Sequence, residues 1–303
     1  PLREPGVDIH EGDYLLAVNG KRVATNQDPW AAFEGLAGKS VMLTVSSRPV
    51  LDGDARNVPV QPGYSEAWYR HRAWIEATRS YVERKSGGRI GYVYLKMTSE
   101  YGFREFTRQF GPQDGKQALI IDARWNQGGH IPFHLIDVLR RQLNFYSVDL
   151  RRNVSQRNPS YFQDGPKCIL INGVTQSGGD LLAYLAKRSA VATLVGTRTM
   201  GAMAGAGGLN ISFIDGGYSL VPTVGFYDVN GKWIVEGRGV QPDIAVADDP
   251  ASMVNGSDPQ LEAAIKLLIN ELRSRPSMPQ AQPPFRGARV VLGKNRAAHK
   301  REP

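Results

Sequence analysis

A serine followed by two glycines, set where an apolar strand pattern gives way to a helical one, carries the strongest chemical signal in this chain. The stretch CILINGVTQSGGDLLAYLAKRS spans residues 168 to 189. Cys168 to Asn172 reads as a short buried strand, and Gly173 breaks it. From Gly179 to Arg188 the spacing of Leu181, Leu182, Leu185 and Ala186 is helical, with Lys187 and Arg188 in the last turn, where the helix dipole favours cations. Ser177 is therefore expected at a helix N-terminus. Backbone N–H groups there lack intrahelical acceptors, so an oxyanion forming beside the hydroxyl would find donors. Gly178 and Gly179 leave room for a substrate. The competing reading makes Ser177 only a helix cap, a role in which serine is favoured.

A second segment repeats the arrangement. ALIIDARWNQGGH, residues 118 to 130, is an apolar strand followed by Asn126, Gln127, Gly128 and Gly129, then by helical spacing through Leu135, Ile136, Val138 and Leu139. Two such turns on neighbouring parallel strands open on the same sheet edge, where ligands of open α/β sheets bind. One turn would supply a nucleophile and the other a second N–H donor. In a third segment, WIVEGRGVQPDI (233 to 244), a strand-like WIV leads into Glu236, a glycine-punctuated turn and, after Pro242-Asp243, another short strand. Taken alone, Glu236 reads as a solvated loop carboxylate.

Taken with RIGYVYLKM (89 to 97) and LVGTRTMGAMAG (194 to 205), these segments resemble, in order, the protease superfamily of tail-specific, carboxyl-terminal-processing and tricorn-type enzymes. A PDZ-like piece precedes them, with GDYLLAVNG its most recognisable string. The tail-specific branch uses a lysine base in a turn that here reads Thr199, Met200, Gly201, Ala202, so alanine stands at the lysine position. Lys187 lies on the helix and Arg198 stays protonated, so neither substitutes. The chain thus resembles the tricorn-type branch, whose base is a histidine held by a serine and a glutamate. The resemblance implies Ser177 as nucleophile, Glu236 as the carboxylate supporting the base, and the N–H groups of Gly178 and Gly129 as oxyanion donors, with Gly128 the alternative. That branch carries aspartate after its nucleophile, where this chain has Gly178, a difference expected to matter little because the backbone donates.

The family's serine-histidine pair precedes its PDZ domain, and residue 1 already falls within the PDZ-like piece. The chain is therefore expected to be a fragment or a truncated open reading frame, catalytically incomplete by itself, with its base upstream of residue 1. His130 and His134 follow the second glycine turn; His10 and His71 lie in or just after the PDZ-like region, and His299 in the tail. Surface or turn positions are expected for all five. The family's acidic determinant of substrate side-chain preference would fall near Ser147 and Asp149, and that preference is not carried over.

Composition agrees with a globular α/β enzyme: 303 residues and 33 glycines suit many turns around a sizeable core. No apolar run is long enough to span a membrane, and no signal peptide is visible. Cys168 reads as a small core residue with no internal disulfide partner. Much of the net charge of +8 comes from the end of the chain, and no aromatic-interleaved basic stripe points to nucleic acid. Ser65 is expected to cap a helix whose stripe runs Ala67, His71, Trp74, Ile75, Thr78 and Val82, and Asp258 another helix ending near Pro276.

The fold expected is α/β: a partial PDZ-like β domain at 1 to 48, a linker and packing helix at 49 to 88, a crotonase-like (ClpP-like) mixed α/β protease domain at 89 to 275, and a disordered basic tail at 276 to 303. The function expected is a serine-type peptidase acting on oligopeptides through an acyl-enzyme, cytoplasmic and homo-oligomeric when complete. Neither metal nor organic cofactor is implied, and neither nucleic acid nor membrane is expected as a partner. An inactive peptide-binding module of the same fold, and a crotonase-like acyl-transfer enzyme, are the alternatives.

Overall fold

The computed structural model describes residues 1–2, 4–204 and 209–274; the expected basic tail lies outside them. The chain divides into two compact units that part between Ala77 and Thr78.

In the first unit, β1 (Tyr14–Val18), β2 (Lys21–Arg22), β3 (Val41–Ser46) and β4 (Arg56–Val60) form an antiparallel sheet in the order β2-β1-β3-β4. Val41, Leu43 and Val45 on β3 and Val58 and Val60 on β4 alternate inward to make its core. β4 lies beyond residue 48 and pairs along β3 from Val41 to Val45, so the sheet runs on to residue 60. Helix α1 spans Ala67–Ser86, and the Ser65 hydroxyl accepts from Ala67 N at 3.1 Å. Of its apolar stripe, Thr78 and Val82 are buried and Ala67 is exposed.

The second unit runs β5 (Ile90–Tyr94), α2 (Glu100–Phe110), β6 (Ala118–Asp122), α3 (Pro132–Leu139), the hairpin β7 (Phe145–Asp149) and β8 (Val154–Asn158), then β9 (Lys167–Ile171) and α4 (Gly178–Arg188). There follow β10 (Thr193–Gly196), the hairpin β11 (Leu209–Ser212) and β12 (Tyr218–Val221), β13 (Ile244–Ala245), α5 (Pro250–Val254) and α6 (Pro259–Ser274). Five strands form one parallel sheet, β13-β10-β9-β6-β5. β5, β6 and β9 are buried along their whole length, which accounts for their continuous apolar runs. Strand order follows chain order, so right-handed crossovers put α2, α3 and α4 on one face. Val93, Leu119, Ile121, Ile169 and Ile171 meet Phe106, Leu135, Leu182 and Ala183 there; each of these side chains except the alanine contributes about 1.5–3 kcal/mol on burial. Helix α6 packs on β6, β9 and β10. No helix among the described residues is long and apolar enough to cross a membrane.

A buried ionic cluster ties α6 to the end of β6. Arg124 is fully excluded from solvent. It donates to Asp122 at 2.9 and 2.7 Å and to Asp258 at 3.0 and 2.8 Å. Burial works against its charge, but Asp122 and then Asp258 overcome it and raise its pKa. Tyr92 donates to Asp122 at 2.9 Å, and burial together with that carboxylate lifts the phenol well above its usual range.

One expected strand is absent. WIV forms only an isolated bridge, Tyr227 with Trp233. Val235 has φ +65°, a left-handed conformation that ends extension, and its carbonyl accepts from Arg238 and Gly239 to close a turn. The short strand expected after Asp243 is β13.

Candidate active site

Because β5, β6 and β9 are parallel neighbours, the loops after Tyr94, Asp122 and Ile171 leave from one edge of the sheet. Buried side chains stitch them together. Asn126 donates to Leu95 O at 2.7 Å and accepts from Gly128 N at 2.9 Å. Asn172 accepts from Trp125 N at 3.1 Å, and the Thr175 hydroxyl donates to Ala123 O at 2.9 Å. Backbone bonds from Gln127 N to Lys96 O, Gln176 N to Asn126 O and Thr98 N to Gly128 O complete the weave. Both glycine turns named from the sequence are thus fixed side by side.

Ser177 occupies the cap position of α4 and does not cap it: its side chain makes no capping hydrogen bond, and its backbone sits at φ +54°, ψ −117°. That region is sparsely populated for a residue with a Cβ and costs about 1–3 kcal/mol, so the packing around it must hold it there. A nucleophile on such a sharp strand-to-helix bend presents its oxygen outward. Ser177 Oγ is half-buried and has no hydrogen-bond partner among the described residues.

The facing turn lies against it. A Cβ placed on Gly128 would stand 2.7 Å from Ser177 Cβ and 3.0 Å from Oγ, and 3.2 Å from Gly178 N. Gly129, at φ +138°, is pressed against the Thr98 backbone, leaving no space for a side chain. Gly178 is equally confined: a Cβ there would come within 3.0 Å of Gly129 O, Gly129 N and Thr98 Oγ1. Among the described residues neither Gly178 N–H nor Gly129 N–H has an acceptor; Gly178 follows the serine in the chain, and Gly129 N stands 2.8 Å from where a Cβ on Gly178 would be.

Glu236 stands one loop away. Its Oε2 accepts from Met203 N at 2.7 Å and from Ala204 N, while Oε1 has no partner among the described residues. The loop it holds is anchored at its other end to the nucleophile turn, through Met200 N to Thr175 O. The fully buried Asp180 accepts from Gly201 N at 2.9 Å and Ala202 N at 3.2 Å. Asp180 was not singled out from the sequence, although an acid in the first helical turn after GG is a visible signal.

The other candidates lie elsewhere. Lys187 pairs with Asp243 at 2.8 Å, and Arg198 donates to the carbonyls of Thr199, Met200 and Arg238. His130 and His134 are exposed, the latter edge-on to Phe103. His10 and His71 belong to the first unit, and His299 is outside the described residues. Ser147 accepts from Asn158 Nδ2, and Asp149 accepts from Arg151 N and Arg152 N within the β7–β8 hairpin. Among the described residues, no three His, Cys, Asp or Glu side chains are grouped to hold a metal.

Comparison with known proteins gives two family matches: peptidase family S41 over residues 89–246, and the tricorn protease PDZ domain over residues 1–63. Tricorn protease homolog 1 of Streptomyces coelicolor is 34% identical over 280 residues, 91% of this chain and 26% of that protein. A putative tricorn-like protease C-terminal subunit of Sulfurisphaera tokodaii is 34% identical over 281 residues, 91% of this chain and 31% of its own length. The tricorn protease of Thermoplasma acidophilum is 30% identical over 274 residues, 90% of this chain and 25% of that one. A crystal structure of the tricorn protease superposes with a TM-score of 0.77 at 30% identity, over 86% of this chain and 25% of that chain. The chain thus spans between 25% and 31% of the length of these relatives.

Proposed function

The chain belongs to peptidase family S41, and from that premise we propose that it carries the acyl-forming centre of a serine-type peptidase that cleaves oligopeptides. Ser177 Oγ attacks the scissile carbonyl, and the N–H groups of Gly178 and Gly129 stabilise the oxyanion. A histidine, which the resemblance places ahead of the PDZ-like domain, takes the serine proton and passes it to the leaving amine, and water then releases the acyl group. Glu236 supports that base through an intervening serine, as the resemblance drawn from the sequence implies; its unpaired Oε1 suits the task. The same resemblance carries a cytoplasmic, homo-oligomeric enzyme. The domain limits follow it too, with the peptidase domain at 89 to 275.

The observation that carries this reading is the conformation of Ser177: a strained serine that does not cap its helix, at a turn where the N–H groups of Gly178 and Gly129 have no acceptors among the described residues. A fluorophosphonate probe tests it. Ser177 should be labelled in the polypeptide that includes the sequence upstream of residue 1, and not in residues 1 to 303 alone. Labelling in neither form would favour the inactive peptide-binding module. Labelling in both would place the base within these residues, with His130 first in line.

A further inference from the structure

One buried carboxyl takes no part in the chemistry proposed for Ser177. Asp180 is fully excluded from solvent, in the first turn of α4 and three residues after the serine. It pairs with no cationic side chain among the described residues. Burying a carboxyl is costly unless hydrogen bonds compensate. Here both donors come from one segment: Gly201 N reaches one oxygen at 2.9 Å and Ala202 N the other at 3.2 Å.

That segment is also the seat of Glu236. Gly201 O accepts from Gly237 N at 2.7 Å. A Cβ on Gly201 would stand 2.5 Å from Gly239 N and 3.1 Å from Val235 O, so the glycine lies flat against the turn that carries Glu236. Its φ of +80° is one that glycine adopts freely. Two residues on, Met203 N at 2.7 Å and Ala204 N donate to Glu236 Oε2. Four consecutive N–H groups, from Gly201 to Ala204, are thus divided between two carboxyl groups, the first pair held by the helix of Ser177 and the second by Glu236. The segment is a spacer between them, and a shift at one end is passed to the other.

We infer that Asp180 is a positioning residue: through the 201–204 segment it sets where Glu236 stands relative to Ser177, and so where the base that Glu236 supports is held. The inference rests on the serine-peptidase reading of Ser177 and Glu236. A carboxylate suits the task because it accepts at both oxygens, whereas an amide of the same shape turns an NH2 group toward one of the two N–H groups.

A double-mutant cycle in the full-length protein tests this, with Asp180→Asn and Glu236→Gln made singly and together. In D180N, kcat and the rate of fluorophosphonate labelling at Ser177 should fall about 10- to 100-fold with KM within about threefold. In the E236Q background the same change should cost less than about threefold, since the carboxylate it misplaces is already gone. A merely structural part for Asp180 would slow both backgrounds alike, so an equal loss in each overturns the assignment. D180N within about threefold of the parental rate does the same. D180N should fold, with a lower urea midpoint, because the bond from Met200 N to Thr175 O still ties the segment to the nucleophile turn. Failure to fold would make the carboxyl a support of the core and would also sink the proposal. Absence of labelling in the parent, or E236Q at the parental rate, would instead strike the reading of the site itself and take the Asp180 assignment with it.

Discussion

Replacing Gly178 by alanine adds one methyl group to the site and tests most of the geometry at once. Its Cβ would come within 3.0 Å of Gly129 O, Gly129 N and Thr98 Oγ1, where ordinary contact begins at 3.4 Å. Two of those atoms are backbone, so no side-chain rotation relieves the clash. The Gly128–Gly129 turn must retreat by about 1 Å, a displacement large enough to cost about 100-fold in rate by misplacing a reacting group. The retreat pulls on the bonds from Thr98 N to Gly128 O and from Ile131 N to Thr98 O. At about 1 kcal/mol each, their loss lowers stability by about 2 kcal/mol. Loss of one oxyanion donor removes about 10²–10³ from kcat, or about 2.7–4 kcal/mol of transition-state stabilisation. The assays are kcat and KM on a chromogenic peptide with the full-length protein, the labelling rate at Ser177, and urea unfolding. Gly173→Ala is the control, because a Cβ there meets only Arg198 O at 3.9 Å; it should be neutral in all three. Gly178→Asp, which restores the residue of the branch the sequence resembles, should fare no better than alanine. If G178A keeps kcat within about threefold of the parent and unfolds at the same urea concentration, the glycine turn is not the oxyanion partner of Ser177.

Glu236→Gln keeps an acceptor for Met203 N and Ala204 N but loses the charge that, in the proposed mechanism, steadies a protonated base. Activity should fall about 100-fold or more while urea stability, the side chain being exposed, shifts by less than about 1 kcal/mol; unchanged turnover removes Glu236 from the site. Arg124→Ala strands Asp122 in a dry interior and should cost about 3–5 kcal/mol by urea unfolding, with a loss below about 1.5 kcal/mol showing that the cluster is not a unit. Cys168 is buried, and burial pushes its thiol pKa up. It should resist iodoacetamide in the native protein at about pH 8 and react fully in urea; rapid native labelling would mean that β9 is not covered.

The strands flanking the site were legible because they are short apolar runs closed by glycine, and a strand buried on both faces needs no more than that. The parallel pairing of β6 with β9 was legible too, through the repeated order of strand, glycine turn and helix. Composition at Ser177 fits a cap as well as a nucleophile, and the structure adds a backbone angle and a missing capping bond that argue against the cap. WIV misled because its apolar residues promised extension, while Val235 turns left-handed to close the Glu236 bend. Asp180 left the visible signal of an acid in a first helical turn and Asp258 that of a cap, but the bonds from Gly201 N and Ala202 N to Asp180 and the pairing of Arg124 with Asp258 across 134 residues join distant parts of the chain, and no periodicity encodes such a pairing. The two hairpins, β7–β8 and β11–β12, were likewise not read.

The clasp between Arg124 and Asp258 sets a minimum length for any working piece of this protein. Asp258 also receives Leu261 N at 3.0 Å, so the residue that starts the last helix also neutralises a guanidinium two positions before Asn126, which opens the glycine turn facing Ser177. A polypeptide trimmed ahead of that aspartate would keep every atom assigned to the reaction and lose the foundation under one of its walls. Efforts to dissect or transplant the chemistry should therefore carry the closing helix along, as an integral part of the catalytic unit.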